Sequence, residues 1–206
     1  MKVMSFNLLL AFQLLGANGL TGEGTEVFSL LKRENNMELF ERWIKVKGKE
    51  DRREVRLAMQ VDAARDAILE ILLDESKGTE WNVNAKDYRI EKKNEHQFIS
   101  YIRYDLPFPL SDRECYFLNR VSHKGKEVTI NFHTYESDMF SKEANTEKIM
   151  GLEGKWVVRE FEGYCELAYH VISVPDQSLP GWIVDPIIRK NLWATMENLR
   201  TNIENR

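Results

Sequence analysis

Ile188-Arg-Lys-Asn-Leu-Trp-Ala-Thr-Met-Glu-Asn-Leu-Arg-Thr-Asn-Ile203 is the stretch on which the fold turns. Ile188, Leu192, Met196, Leu199 and Ile203 recur at three- and four-residue spacing, which puts one apolar stripe along a long helix. Pro180 suits the first turn of this element, and Pro186 starts or kinks its regular part. Upstream, six segments read as strands: Tyr88–Lys92, Gln97–Leu106, Glu114–Val121, Glu127–Tyr135, Lys155–Phe161 and Tyr164–Val174. Asn94-Glu95, Lys124-Gly125 and Glu162-Gly163 punctuate them as hairpin turns. Val128, Ile130, Phe132 and Thr134 alternate with Thr129, Asn131, His133 and Tyr135, the period of a strand with one buried face.

Ahead of this meander, Met37–Val46 and Glu54–Val61 read as two strands joined by the polar turn Gly48–Asp51. Glu26–Arg33 reads as a short helix or turn. Asp62 is a good N-cap for a helix over Ala63–Asp74, and Glu80–Val83 reads as a turn or second short helix. The order is therefore strands, helix, a long antiparallel meander and a final helix. An α+β fold follows, in which a curved sheet wraps the C-terminal helix and leaves room for a ligand between them.

Composition bounds the function. The 206 residues are 43% hydrophobic and 30% charged, ordinary values for one globular domain with a real core. The net charge is −4, from 29 basic and 33 acidic residues interspersed along the chain, so no basic stripe follows a phosphate backbone and nucleic-acid binding is not expected. Cys115 and Cys165 are too few for a disulfide scaffold or a four-cysteine zinc site. His96, His123, His133 and His170 show no metal-binding spacing, and neither a metal nor a cofactor is expected.

Residues 1–19 stand apart. One Lys follows the start Met, an apolar run extends to Leu15, and Ala17 and Gly19 take the small-residue positions of a cleavage site. That is the layout of a secretory signal peptide, leaving residues 20–206 as the mature domain, periplasmic or secreted. The alternative is a first helix retained on the outside of a cytoplasmic protein; against it, the apolar residues surround the whole helical circumference.

Four stretches resemble the START domains, the steroidogenic-acute-regulatory-protein-related lipid-transfer family. They are Val61-Asp-Ala63 leading into a helix that ends at Leu73-Asp74; Glu80-Trp-Asn82; Leu106-Pro-Phe-Pro-Leu-Ser-Asp-Arg-Glu114; and Gly154-Lys-Trp156 with Tyr169-His-Val171 and Leu179-Pro-Gly-Trp182. Together they span about Phe28 to Asn202. The resemblance implies a helix-grip fold with an internal hydrophobic tunnel, and with the N-terminal segment the chain reads as a single-domain, exported, bacterial-type member. It also implies that Cys115 and Cys165 stand on strands that are not neighbours, as two separate thiols. Where many members start a strand with a basic residue, this chain has Glu147-Lys-Ile-Met-Gly151 and no Arg.

The function so implied is binding of a hydrophobic small molecule or lipid, with its transfer through transient membrane contact as a further expectation. The C-terminal helix and nearby loops would gate the tunnel. The residues assigned to the ligand are Tyr101, Phe108, Arg120, Phe132, Trp156, Tyr169, Trp182, Trp193 and Met196. On this reading, replacing Met196 or Trp193 alters ligand loading more than stability. Cys115, Phe117 and Val121 alternate with Tyr116, Leu118 and Arg120, so the inward face of that strand stays open. Arg113 and Asp112 read first as anchors of the Pro107–Pro109 loop. Two alternatives stand beside the binding reading. One is a polyketide cyclase- or aromatase-like enzyme, with no catalytic residue assigned and Arg120, Glu166 or Tyr169 as candidates for guiding proton transfer. The other is an interaction module whose cavity is filled by its own aromatic side chains.

Overall fold

The computed structural model describes residues 26–106, 111–137, 139–140, 146–174 and 181–205. Ten strands form one curved, open sheet: β1 Ser29–Glu34, β2 Met37–Ile44, β3 Arg52–Val61, β4 Ala85–Asn94, β5 Gln97–Tyr104, β6 Arg113–Lys124, β7 Glu127–Thr134, β8 Glu147–Lys148, β9 Glu153–Glu160 and β10 Cys165–Ser173. Their order is β1-β2-β3-β10-β9-β7-β6-β5-β4; β8 runs parallel to the start of β6, and all other pairs are antiparallel. Helix α1 (Arg65–Leu72), a 3-10 turn (Glu75–Lys77), the single turn α2 (Gly78–Trp81) and the long α3 (Gly181–Glu204) complete the described elements. This is the helix-grip arrangement.

Register assigns the faces. On the concave side Leu39, Leu57, Tyr169, Trp156, Ile130 and Val121 stand opposite one another from β2 across to β6. Side chains two residues apart share a face, so Cys115, Phe117 and Asn119 join them. This settles the open parity of β6: Tyr116, Leu118 and Arg120 take the convex side. Leu39, Leu57, Cys115 and Phe117, with Trp156 and Tyr169 packed against them, form one core with Ile68, Ile71 and Leu72 of α1, Trp81 of α2, and Trp193, Met196, Leu199 and Ile203 of α3. Burying such side chains contributes roughly 1.5–3 kcal/mol each, which holds α3 in the grip.

Three local expectations change. Glu26–Arg33 contributes strand β1 rather than a helix, because Asn35 and Asn36, both at positive φ, close a two-residue hairpin that pairs Ser29–Glu34 with β2. Asp62 is not the N-cap of α1; Ala64 takes that position, and the Asp62 N–H instead donates to Glu204 Oε1 at 3.2 Å. The two-residue β8 falls where sequence periodicity has no length to act on. Cys115 on β6 and Cys165 on β10 are free, buried and three positions apart in the sheet, as the resemblance implied.

Candidate functional site

An aromatic chain lines the concave wall. The Tyr88 and Trp81 rings meet at 6.0 Å, and Trp81 meets Trp156 edge-on at 6.0 Å. Trp156 lies 4.4 Å from Tyr169, Tyr169 stacks on Phe132 at 5.7 Å, and Phe132 meets Phe117 at 5.2 Å. Gly154 makes room for this wall: a Cβ there would run into the His170 carbonyl and the Phe132 ring. Trp81 and Phe132 are buried, whereas Tyr104, Trp156, Tyr169 and Val171 keep part of their surface accessible although they sit against the same core.

The wall is polar at few points. Asn119 Nδ2 donates to Ser100 Oγ at 3.0 Å and to the Phe117 carbonyl at 2.9 Å. Tyr88 donates to the Leu72 carbonyl at 3.4 Å. Burial, then the neighbouring Cys115 thiol, pushes the Tyr88 and Tyr169 phenols up, and the same causes with Tyr169 and Tyr88 push Tyr104 well up. Burial also raises the Cys115 thiol. These groups stay protonated at neutral pH. They can donate and accept hydrogen bonds but are poor general bases. The Nε1 atoms of Trp81 and Trp193 are buried without a hydrogen-bond partner among the described residues.

Charge collects where α3 meets the rim. Arg53 donates to Glu41 through Nε at 2.8 Å and Nη2 at 2.5 Å, and to Asp185 through Nη1 at 3.0 Å. Arg189 reaches the same Glu41 through Nη2 at 2.7 Å and Nε at 3.2 Å. Burial works to raise the Glu41 carboxyl, but the hydrogen bonds from Arg189 and Arg53 outweigh it and hold the group below its ordinary value. Among the described residues this network is the polar tie of the first half of α3. The second half is held differently: Trp193, Met196, Leu199 and Ile203 are buried, Thr195 Oγ1 accepts from the Val83 N–H at 3.1 Å, and Arg200 donates to the Asn35 carbonyl at 2.6 Å.

Of the residues chosen from sequence, Phe132, Trp156, Tyr169, Trp193 and Met196 share this core. Tyr101 does not. It lies on the convex face against Tyr116 and Phe140, and its hydroxyl donates to Glu114 Oε2 at 3.0 Å. Arg120 is exposed on the same convex face, beside a surface depression of about 480 Å³ lined mostly by polar side chains. A smaller depression, about 250 Å³, lies between α1 and the end of α3, also outside the concave space. Phe108 falls outside the described residues; Trp182 lies in the first turn of α3. Glu166 belongs to the convex face of β10, so Arg120, Glu166 and Tyr169 do not converge. Arg113 pairs with Glu147 at 2.7 Å and ties the start of β6 to β8. Sequence reasoning missed Tyr104, whose signal is its place two residues beyond Ile102 in the inward alternation of β5. It also missed the Glu41–Arg53–Asp185–Arg189 network.

The fold so defined is that of the STAR-related lipid-transfer domains. A STAR-related lipid transfer protein fragment from Xanthomonas axonopodis superposes with a TM-score of 0.73 at 19% identity, over 85% of this chain and 98% of that one. Human StAR-related lipid transfer protein 5 gives 0.69 at 11% identity over 96% and 91%. The Zhui aromatase/cyclase from a Streptomyces gives 0.53 at 13% identity over 75% and 95%. Identities this low establish the fold alone. In sequence, an uncharacterized Pseudomonas aeruginosa protein is 22% identical over 143 residues, 68% of this chain and 70% of that one. No family model matches the chain.

Proposed function

We propose that the protein holds a hydrophobic small molecule, a lipid being the favoured class, between the concave face of the sheet and α3. One observation carries this reading. Tyr104, Trp156, Tyr169 and Val171 pack on the apolar concave face yet retain accessible surface, which an apolar ligand could cover. Covering an apolar ligand there removes its surface from water at roughly 25 cal/mol per Å². The names of the Xanthomonas and human neighbours, both lipid-transfer proteins, agree with the reading. The Zhui neighbour agrees with the enzyme alternative at the level of fold, with a lower TM-score, but Arg120 and Glu166 lie on the opposite face from Tyr169. Residues 1–19, outside the described part, are proposed to act as an export signal, and transient membrane contact is proposed as the route of loading.

Native mass spectrometry of the purified protein, followed by denaturing extraction, tests the binding reading. A stoichiometric adduct that extracts as a defined apolar compound is expected. A clean apo mass that persists after incubation with mixed phospholipid and sterol vesicles would overturn it.

A further inference from the structure

We propose that the hydroxyls of Tyr104 and Tyr169 form the polar contact of the enclosed space and take an uncharged hydrogen-bonding end of the ligand: a hydroxyl, ester or amide. The inference rests on the binding reading above and narrows its ligand class. Tyr169 stands on the concave wall, in register with Leu57 and Trp156. Tyr104, two residues beyond Ile102, shares the inward face of β5 and lies diagonally across from Cys115, the partner of Ile102. Both side chains pack against the same concave core, and each has the Cys115 thiol as an electrostatic neighbour.

Neither hydroxyl has a hydrogen-bond partner among the described residues, and neither is one of the sealed polar atoms that lack one. Both side chains keep part of their surface accessible. An unpaired hydroxyl on an otherwise apolar wall marks a point where a ligand's polar atom gains a bond that water supplies poorly. Charge at this point is disfavoured. Among the described residues Arg53 and Arg189 are engaged by Glu41 and Asp185 at the rim, and Arg113, opposite Tyr104, is engaged by Glu147, so a phosphate or carboxylate beside the two neutral phenols would compete with these carboxylates for its counter-ion.

The test displaces a neutral fluorescent probe, N-phenyl-1-naphthylamine, with three ligands of one chain length: dodecan-1-ol, dodecane and dodecyl phosphate. In the wild type, dodecan-1-ol is expected to displace the probe at a concentration about fivefold below that of dodecane, the size of one uncharged hydrogen bond, with dodecyl phosphate the weakest. The double variant Tyr104→Phe/Tyr169→Phe keeps both rings and should fold normally. It is expected to lose the advantage of dodecan-1-ol while its response to dodecane stays the same. Preference for dodecyl phosphate, or an alcohol advantage untouched by the double variant, overturns the inference and leaves the binding reading standing. Failure of the probe and all three ligands to bind refutes the binding reading and this inference with it.

Discussion

Removing Arg189 should open half of a helix. In Arg189→Ala, Glu41 loses the bonds at 2.7 and 3.2 Å, while its two bonds from Arg53 remain. The Arg189 side chain is 34% exposed, so its pair is discounted for solvent; we assign about 1–2 kcal/mol, between an exposed pair and a buried one. The first half of α3 has little else to hold it: Val184, Ile187 and Leu192 are only partly buried and Ile188 is exposed. Pro186 adds no N–H to the helix. Amide hydrogen exchange read by mass spectrometry should therefore rise about 5- to 30-fold in peptides covering residues 184–192, the local opening that 1–2 kcal/mol allows. Residues 193–203, anchored by Trp193, Met196, Leu199 and Ile203, should exchange as in the wild type. An equal rise in both halves, or none in either, would refute the division of α3 into a tethered half and an anchored half.

Other outcomes follow from the same geometry. Because the Glu41 carboxyl is held below its ordinary value of 4.5, its contribution is present above that pH and is lost as pH falls through the depressed value; exchange in 184–192, corrected for intrinsic rates, should be flat from neutral pH to about 5 and rise under stronger acid. Burial depresses His170, so the unfolded chain takes up its proton first; urea-denaturation stability should fall as pH drops below 6.5, and His170→Asn should reduce that slope. Met196→Ala, in a fully buried position, should cost about 2–5 kcal/mol in urea denaturation, so its effect on loading accompanies a stability loss rather than exceeding it. Gly154→Ala should cost about 1–3 kcal/mol through the clash with Phe132 and the His170 backbone, and an unchanged midpoint would show that the wall can move aside.

The legible parts of this molecule are those whose signal is local. The alternation in β7 named the inward residue Phe132, and the stripe on α3 named Met196, Leu199 and Ile203 as core residues. The Leu106–Glu114 and Gly154–Trp156 stretches brought in the helix-grip arrangement as a whole. Parity within β6 was not legible, because both of its faces are apolar; only pairing with β5 and β7 sends Arg120 outward and Asn119 inward. Tyr101 misled for a related reason. An aromatic residue in a strand buries equally well on the convex side when Tyr116 and Phe140 cover it. The rim network was invisible from sequence because it joins Glu41 to Arg189 across 148 residues and Arg53 to Asp185 across 132, with no periodicity connecting them.

The central claim, a ligand enclosed against Trp156 and Tyr169, is tested most directly by quenching tryptophan fluorescence with a nitroxide-labelled fatty alcohol. The wild type should be quenched in a saturable, one-to-one titration, and Trp156→Phe should lose part of that quench, the remainder coming from Trp81 6.0 Å away, while still competing for the ligand. Quenching that never saturates, or that is unchanged in Trp156→Phe, would place the ligand elsewhere and contradict the account.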